Sequence, residues 1–464
     1  MLSAEKTELL QSFLGSLPRD IAARLAKAVE VDRLIDGVAL PHDMILEALR
    51  PALRQNEARH RTPTPLRLFC RPFEDLLIDG KRTEKQKGRI ARSSVAPVWK
   101  WLQTLIPGEG KSYREEIKAQ VLAYRLGEAL ECASKFWPPA GEALRTAIAN
   151  DRKAARMALG SDLVLGDAED IALLLCAGPA MVEIQQMLPK PAAVLTDDLL
   201  WSLRHIYDRV AENALDSAPY VPVVAMCRLA KPWEALKLAL AITHQTQDTL
   251  ISSTDMGLVG DILFSRMEDC RVAIHATRHP NFDVAALIEN LTVFTDISSA
   301  IVKEVEILRR GKWGQRLLKD RAAVGAVMDG FMERAPKEIA GALPTQKAGF
   351  TGGGRIPDFT KFADPEKVER GLRYAKLLAG CRPLAAPGSF GAKLADAMEE
   401  AMQVLRSYNE DLIKELRTAD SARREVAERQ FPLVIELTAL MFSDEEAEFL
   451  RRRGKASLAP QAAA

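Results

Sequence analysis

Apolar residues return every three to four positions along nearly all of this chain, and no run alternates apolar with polar residues over the length of a strand. That period constrains the fold most. Residues i, i+3, i+4 and i+7 share one face of a helix, whereas a strand repeats every second residue. Alanine, leucine, glutamate, lysine and arginine, all good helix formers, dominate the composition. The expected class is all-α: an irregular multi-helix array with a solenoid-like middle, a long amphipathic C-terminal helix and little or no β-sheet.

Helix starts are signalled at Ser112-Tyr-Arg-Glu115 and Ser443-Asp-Glu-Glu446, where a hydroxyl and a carboxylate three residues apart fit the capping box. Stops are expected at Pro107-Gly108, Pro138-Pro139, Pro189, Pro232 and Pro432, because proline lacks the N–H that continues a helix. A long helix is therefore expected from near Ser112, broken at the "FWPPAG" stretch. Further on, "DDLLWSLRHIYDRVAENAL", "APYVPVVAMCRLA" and "PWEALKLALAITHQ" read as three consecutive antiparallel helices.

At 464 residues the chain exceeds one ordinary core. The organisation expected is an N-terminal helical region over 1–108, with a basic segment at 81–100. A central all-helical domain follows over 109–345, then a glycine-rich linker over 346–363. The last part, 364–464, contains the long helix 391–431. In it Leu394, Met398, Ala401, Leu405, Tyr408 and Leu412 step by four and three, which is a heptad seam. The seam suits packing within its own domain and, as a second use, a homodimer through 391–431.

The formal charge of +1 carries no whole-chain argument for nucleic acid or an anionic membrane. The first residues, "MLSAEKTELL", lack a basic stretch followed by an apolar one, so no secretory signal is expected. The apolar windows Ile171–Val182 and Pro219–Cys227 fall short of the roughly 20 residues that cross a bilayer, so no transmembrane segment is expected. Six cysteines without a close pair read as free thiols in a reducing, cytoplasmic setting.

Catalytic and metal motifs are weak. His275 and His279 stand four apart, but no glutamate follows the first and Arg278 intervenes, so surface or capping histidines are expected rather than zinc ligands. His205 and Asp208 could orient an imidazole, yet no nucleophile stands in a recognisable elbow. Paired carboxylates at 197, 399 and 445 sit where helix starts or polar faces favour acids. No catalytic residue, cofactor or metal is assigned.

Basic segments carry more. Lys81, Arg82, Lys85, Lys87, Arg89, Arg92 and Lys100 face one acid, Glu84, and end at Trp99 and Trp101. Arg309, Arg310, Lys312 and Arg316 form a second cluster around Trp313, and Arg451–Lys455 a third. Such cations suit phosphates, with stacking from tryptophan, or an acidic protein surface. The residues assigned to anion or partner contact are Lys81, Arg82, Lys85, Lys87, Arg89, Arg92, Arg309, Arg310, Lys312 and Arg316. Acids gather instead after residue 395.

Gly349, Gly352, Gly353 and Gly354 lie in "KAGFTGGGRIPDF". A phosphate-binding loop needs a lysine and a hydroxyl residue after its last glycine, with a strand before it. Here Arg355-Ile-Pro357 follows, and the preceding residues read as helix, so the glycines are expected to form a hinge. The expected function is that of a non-enzymatic helical adaptor, scaffold or regulatory protein acting on another protein. The alternative is a nucleic-acid-binding protein using 81–100 and 309–321, and the third reading is an all-α enzyme without a recognisable motif.

Overall fold

A computed structural model describes residues 4–34, 40–54, 63–80, 83–347, 355–418 and 420–458. The chain is all-α, with two short two-stranded sheets among the described residues, and it divides into compact units over Met1–Thr243 and His244–Ala464. The expected central region 109–345 is thus shared between two units.

The first unit opens with α1 (Ala4–Gly15), α2 (Arg19–Leu34) and α3 (His42–Arg54). They close on a small core of Leu14, Ala22, Ala26 and Leu49. Next come α4 (Pro65–Cys70), strands β1 (Leu77–Ile78) and β2 (Ile90–Ala91), α5 (Arg92–Leu105), α6 (Pro107–Leu122) and α7 (Leu126–Asn150). The two strands pair in parallel, Leu77 with Ile90 and Ile78 with Ala91. Then follow α8 (Arg152–Leu159), α9 (Asp162–Cys176), α10 (Gly178–Met187), α11 (Asp197–Asn213), α12 (Tyr220–Arg228) and α13 (Ala235–Thr243). The last three match the three helices read from the sequence.

Two expectations about proline and capping fail here. α6 starts at Pro107, so Ser112 lies inside the helix. Proline suits a first helical position because that N–H is unpaired anyway. α7 runs straight through Pro138-Pro139. Losing two helical hydrogen bonds there is offset by burial of Ala133, Phe136, Trp137, Ala140 and Leu144, largely against α9. The two helices meet so closely that a Cβ on Gly141 would stand 2.6 Å from Ala172 O. Beside them Phe69, Trp99, Tyr113 and Phe136 form an aromatic cluster, with Tyr113 and Phe136 stacked at 4.1 Å.

The second unit holds α14 (Asp248–Ile251), α15 (Gly257–Ala276), α16 (Val284–Glu304), α17 (Lys312–Gly341), strands β3 (Thr345–Lys347) and β4 (Arg355–Pro357), α18 (Pro365–Cys381) and α19 (Ala385–Gly388). It ends with α20 (Gly391–Thr418), α21 (Ser421–Met441) and α22 (Asp444–Leu458). α17, about 45 Å long at 1.5 Å per residue, packs on α15, α18 and α20. α16, outside the apolar windows Ile171–Val182 and Pro219–Cys227, is long and apolar enough to cross a bilayer by length and composition. Its Leu287, Leu291, Phe294, Ile297 and Ile301 are buried in this unit, where it packs on α15 and α18.

The heptad seam of α20 is spent inside the unit: Leu394, Ala401, Leu405, Tyr408 and Leu412 are buried among α17, α21 and α22. Pro432 lies within α21 and does not stop it. Ser443 does cap α22, accepting the Glu446 N–H at 3.2 Å. The hinge glycines Gly349, Gly352, Gly353 and Gly354 lie outside the described residues. Their flanks, however, are strands: Thr345 pairs with Pro357 and Lys347 with Arg355 in an antiparallel ladder. The glycine segment therefore joins elements of one compact unit, and a strand does precede it.

Candidate functional site

In the first basic segment Lys81 and Arg82 lie outside the described residues. Lys85 turns inward from the connection between β1 and β2. Its Nζ stands 2.7 Å from Asp167 Oδ1 and 2.5 Å from Asp170 Oδ2, both on α9, and donates to Arg89 O at 2.8 Å. Asp167 is fully buried and also accepts the Ala91 N–H and the Ser94 hydroxyl. Asp170 accepts from Tyr220 Oη at 2.5 Å, and burial holds its carboxyl above the ordinary carboxylate range against the pull of Lys85. Arg89 donates to Cys227 Sγ at 3.9 Å, and Arg92 pairs with Asp79 at 3.0 Å. Lys87 and Lys100 are exposed, and Lys87 is engaged in an interaction of its own. Trp99 belongs to the aromatic cluster. This segment is thus stapled to its own unit by acids more than 70 residues away.

A second polar cluster ties the same unit together. Asp75 accepts from Lys190 at 2.8 Å and Arg228 at 2.7 Å. A cavity of about 330 Å³ lies between α7 and the residues after α11, beside Arg145 and Cys176. Arg145 crosses it from Glu142 (3.1 Å) to Asp216 (2.8 Å). Burial, then the charge of Glu142, pushes the Cys176 thiol above its usual range, which leaves it protonated near neutral pH.

The histidine pairs do not assemble. α15 ends at Ala276, so His275 and His279 share no helical face. His205 stacks on Trp201 with rings 7° apart, while Asp208 turns to Arg204 at 4.0 Å. Of the third basic cluster, Arg451 and Arg452 pair with Glu448, and Arg453 lies over the Phe449 ring at 5.7 Å.

The second basic segment behaves otherwise. Residues 305–311 leave α16 and enter α17 as a loop latched by backbone and carboxylate. Glu306 N donates to Thr246 O at 2.8 Å, and Asp248 N donates to Glu306 O at 3.1 Å. Asp248 is fully buried, and its Oδ1 accepts the Leu308 N–H at 3.1 Å. Its Oδ2 has no hydrogen-bond donor among the described residues and lies against Gly311, where a Cβ would collide with it. Gly314 is held as tightly, since a Cβ there would strike Leu308 O. Gly311 N closes the turn on Leu308 O at 2.8 Å.

This frame leaves Arg309, Arg310 and Lys312 exposed, with no ion pair among the described residues. Leu308 beside them is 42% exposed. Arg316, one turn into α17, is not part of that surface. Its guanidinium lies over Phe264 at 5.2 Å, donates to Phe264 O at 3.1 Å and faces Asp320. Trp313 is buried in the core, 1% exposed, and stacks nothing outside it. Asp248, sixty residues before Leu308, had no local sequence signal; only the fold brings it beneath the loop.

No family model, curated protein or solved structure matches this chain.

Proposed function

We propose that this chain is a non-enzymatic helical interaction protein, an adaptor, scaffold or regulator, that docks an acidic surface of a partner protein on Leu308–Lys312. The observation that carries this reading is the contrast between the two basic segments. Lys85, Arg89 and Arg92 are engaged within their own unit, whereas Arg309 and Arg310 on the latched loop and Lys312 at the start of α17 have no ion pair among the described residues. Latching the backbone that carries the three cations lowers part of the ordering cost of binding, which is what preorganisation contributes.

An exposed leucine beside the cations favours a protein surface over nucleic acid. Single-strand binding couples cations to exposed aromatic platforms, whereas Trp313 is buried and Trp99 packs in the aromatic cluster of its own unit. The six free thiols support a reducing, cytoplasmic compartment.

Fluorescence anisotropy tests the reading with two labelled probes: a synthetic peptide rich in aspartate and glutamate with one aromatic residue, and a single-stranded oligonucleotide of equal charge. The peptide should bind the wild-type chain with strong salt dependence. The triple variant Arg309→Glu, Arg310→Glu, Lys312→Glu should weaken it about tenfold or more. Tighter binding of the oligonucleotide, lost in the same variant, would transfer the surface to nucleic acid.

A further inference from the structure

The second unit carries its own acidic counterpart to the Leu308–Lys312 loop. α22 opens with Asp444, Glu445 and Glu446, all exposed and with no ion pair among the described residues. Phe449, one turn further on, is 59% exposed. Acids at a helix start are favoured by the helix dipole, which accounts for their position. The phenyl ring beside them has Arg453 over it at 5.7 Å and still stays more than half exposed. Among the described residues, Leu308–Lys312 presents three cations without an ion pair and one exposed aliphatic residue, and α22 presents three carboxylates without an ion pair and one exposed aromatic residue.

From this complementarity we infer that a second copy of this chain is the occupant of the loop, with Asp444, Glu445 and Glu446 of one copy against Arg309, Arg310 and Lys312 of the other and Phe449 packed on Leu308. The inference rests on the acidic-partner reading above and names that partner. The contact joins two different patches, so it builds a closed dimer where a two-fold axis allows both contacts at once and a chain of copies where none does. Exposed ion pairs are individually weak, so the assembly forms at high concentration and low salt and dissolves as salt screens it.

Sedimentation velocity on the full chain, from micromolar to submillimolar concentration at low and high salt, tests this. The wild-type chain should associate at low salt. The loop variant (Arg309→Glu, Arg310→Glu, Lys312→Glu) and the helix variant (Asp444→Lys, Glu445→Lys, Glu446→Lys) should each associate at least about tenfold more weakly. Mixed together they should associate again, because the reversed charges are complementary across copies. Lysines at a helix start could unfold α22, so a neutral set (Asp444→Asn, Glu445→Gln, Glu446→Gln) provides the second measurement and should also weaken association. A wild-type chain that stays monomeric throughout would overturn the inference. So would association that neither variant affects, or that is lost only on reversing the other exposed acidic turn, Asp197 and Asp198 beside Trp201. Should the copies stay apart while the acidic peptide still binds, this inference falls and the proposed function stands. If neither is seen, both fall.

Discussion

Lys85 Nζ stands 2.7 Å from Asp167 Oδ1, joining two residues 82 positions apart in the sequence and anchoring the β1–β2 connection to α9. The Asp167 side chain is wholly inaccessible, and that of Lys85 is 27% exposed. Removing one member of a buried pair strands the other charge in a medium that solvates it poorly, at a cost of about 3–5 kcal/mol. Lys85→Met should therefore lower the stability of the first unit by an amount in that range, read from the urea midpoint. Arg92→Gln breaks an exposed pair with Asp79 and should cost less than about 1 kcal/mol. Equal effects from the two would show that burial is not what matters.

Asp170 sets a pH dependence. Burial raises its carboxyl above the ordinary range, so the folded chain holds that proton more tightly than the unfolded chain. Its contribution to stability is therefore full below the unfolded value and is lost as pH rises through the folded one. Asp170→Asn cannot titrate and lacks this contribution. The stability difference, wild type minus Asp170→Asn, should move in favour of the wild type as pH falls from neutral toward 4, the ordinary Asp range. Urea unfolding of both at a series of pH values gives the sign, and a trend in the opposite direction would refute the assignment.

What could be read from the sequence was what depends on near neighbours. The all-α class, the cap at Ser443 and the helices α11, α12 and α13 all follow from periods and spacings within a few residues. Ser112 misled because a capping-box spacing also occurs by chance inside a helix, and Pro107 already supplied the start. Pro138 and Pro139 misled because α9, which compensates them, begins at Asp162. Strands of three residues, such as Thr345–Lys347, are too short to show alternation. The partners of Lys85 and the carboxylate under Leu308 were hidden for one reason: tertiary ion pairs leave no spacing to read.

Glycines on α17 should respond in opposite directions. Gly314 is pressed against Leu308 O, so Gly314→Ala must push the loop 305–311 outward. A cost of about 1–3 kcal/mol is typical of such overpacking, and binding of the acidic peptide should weaken as the loop moves. Gly325 lies on the same helix with nothing within 4 Å of an added Cβ. Gly325→Ala should raise stability by about 0.5–1 kcal/mol, because alanine loses less backbone freedom in a helix. Thermal unfolding of the two variants separates these signs. Stabilisation by both would mean that the loop is not tightly packed on α17.

Two buried tryptophans offer a controlled comparison of a satisfied and an unsatisfied polar group. Trp137 and Trp313 are each 1% exposed. Trp137 Nε1 donates to Leu68 O at 2.9 Å, whereas Trp313 Nε1 has no acceptor among the described residues. Replacing either by phenylalanine removes a similar volume, so the cavity cost is shared. Trp137→Phe also loses a hydrogen bond worth about 1 kcal/mol, while Trp313→Phe removes a buried donor whose lost hydration costs about 1–3 kcal/mol. Trp137→Phe should therefore be the more destabilising by roughly 2–4 kcal/mol. Chemical denaturation measures the difference; a Trp313→Phe variant as damaged as Trp137→Phe would mean that the Trp313 indole N–H has a partner in solution.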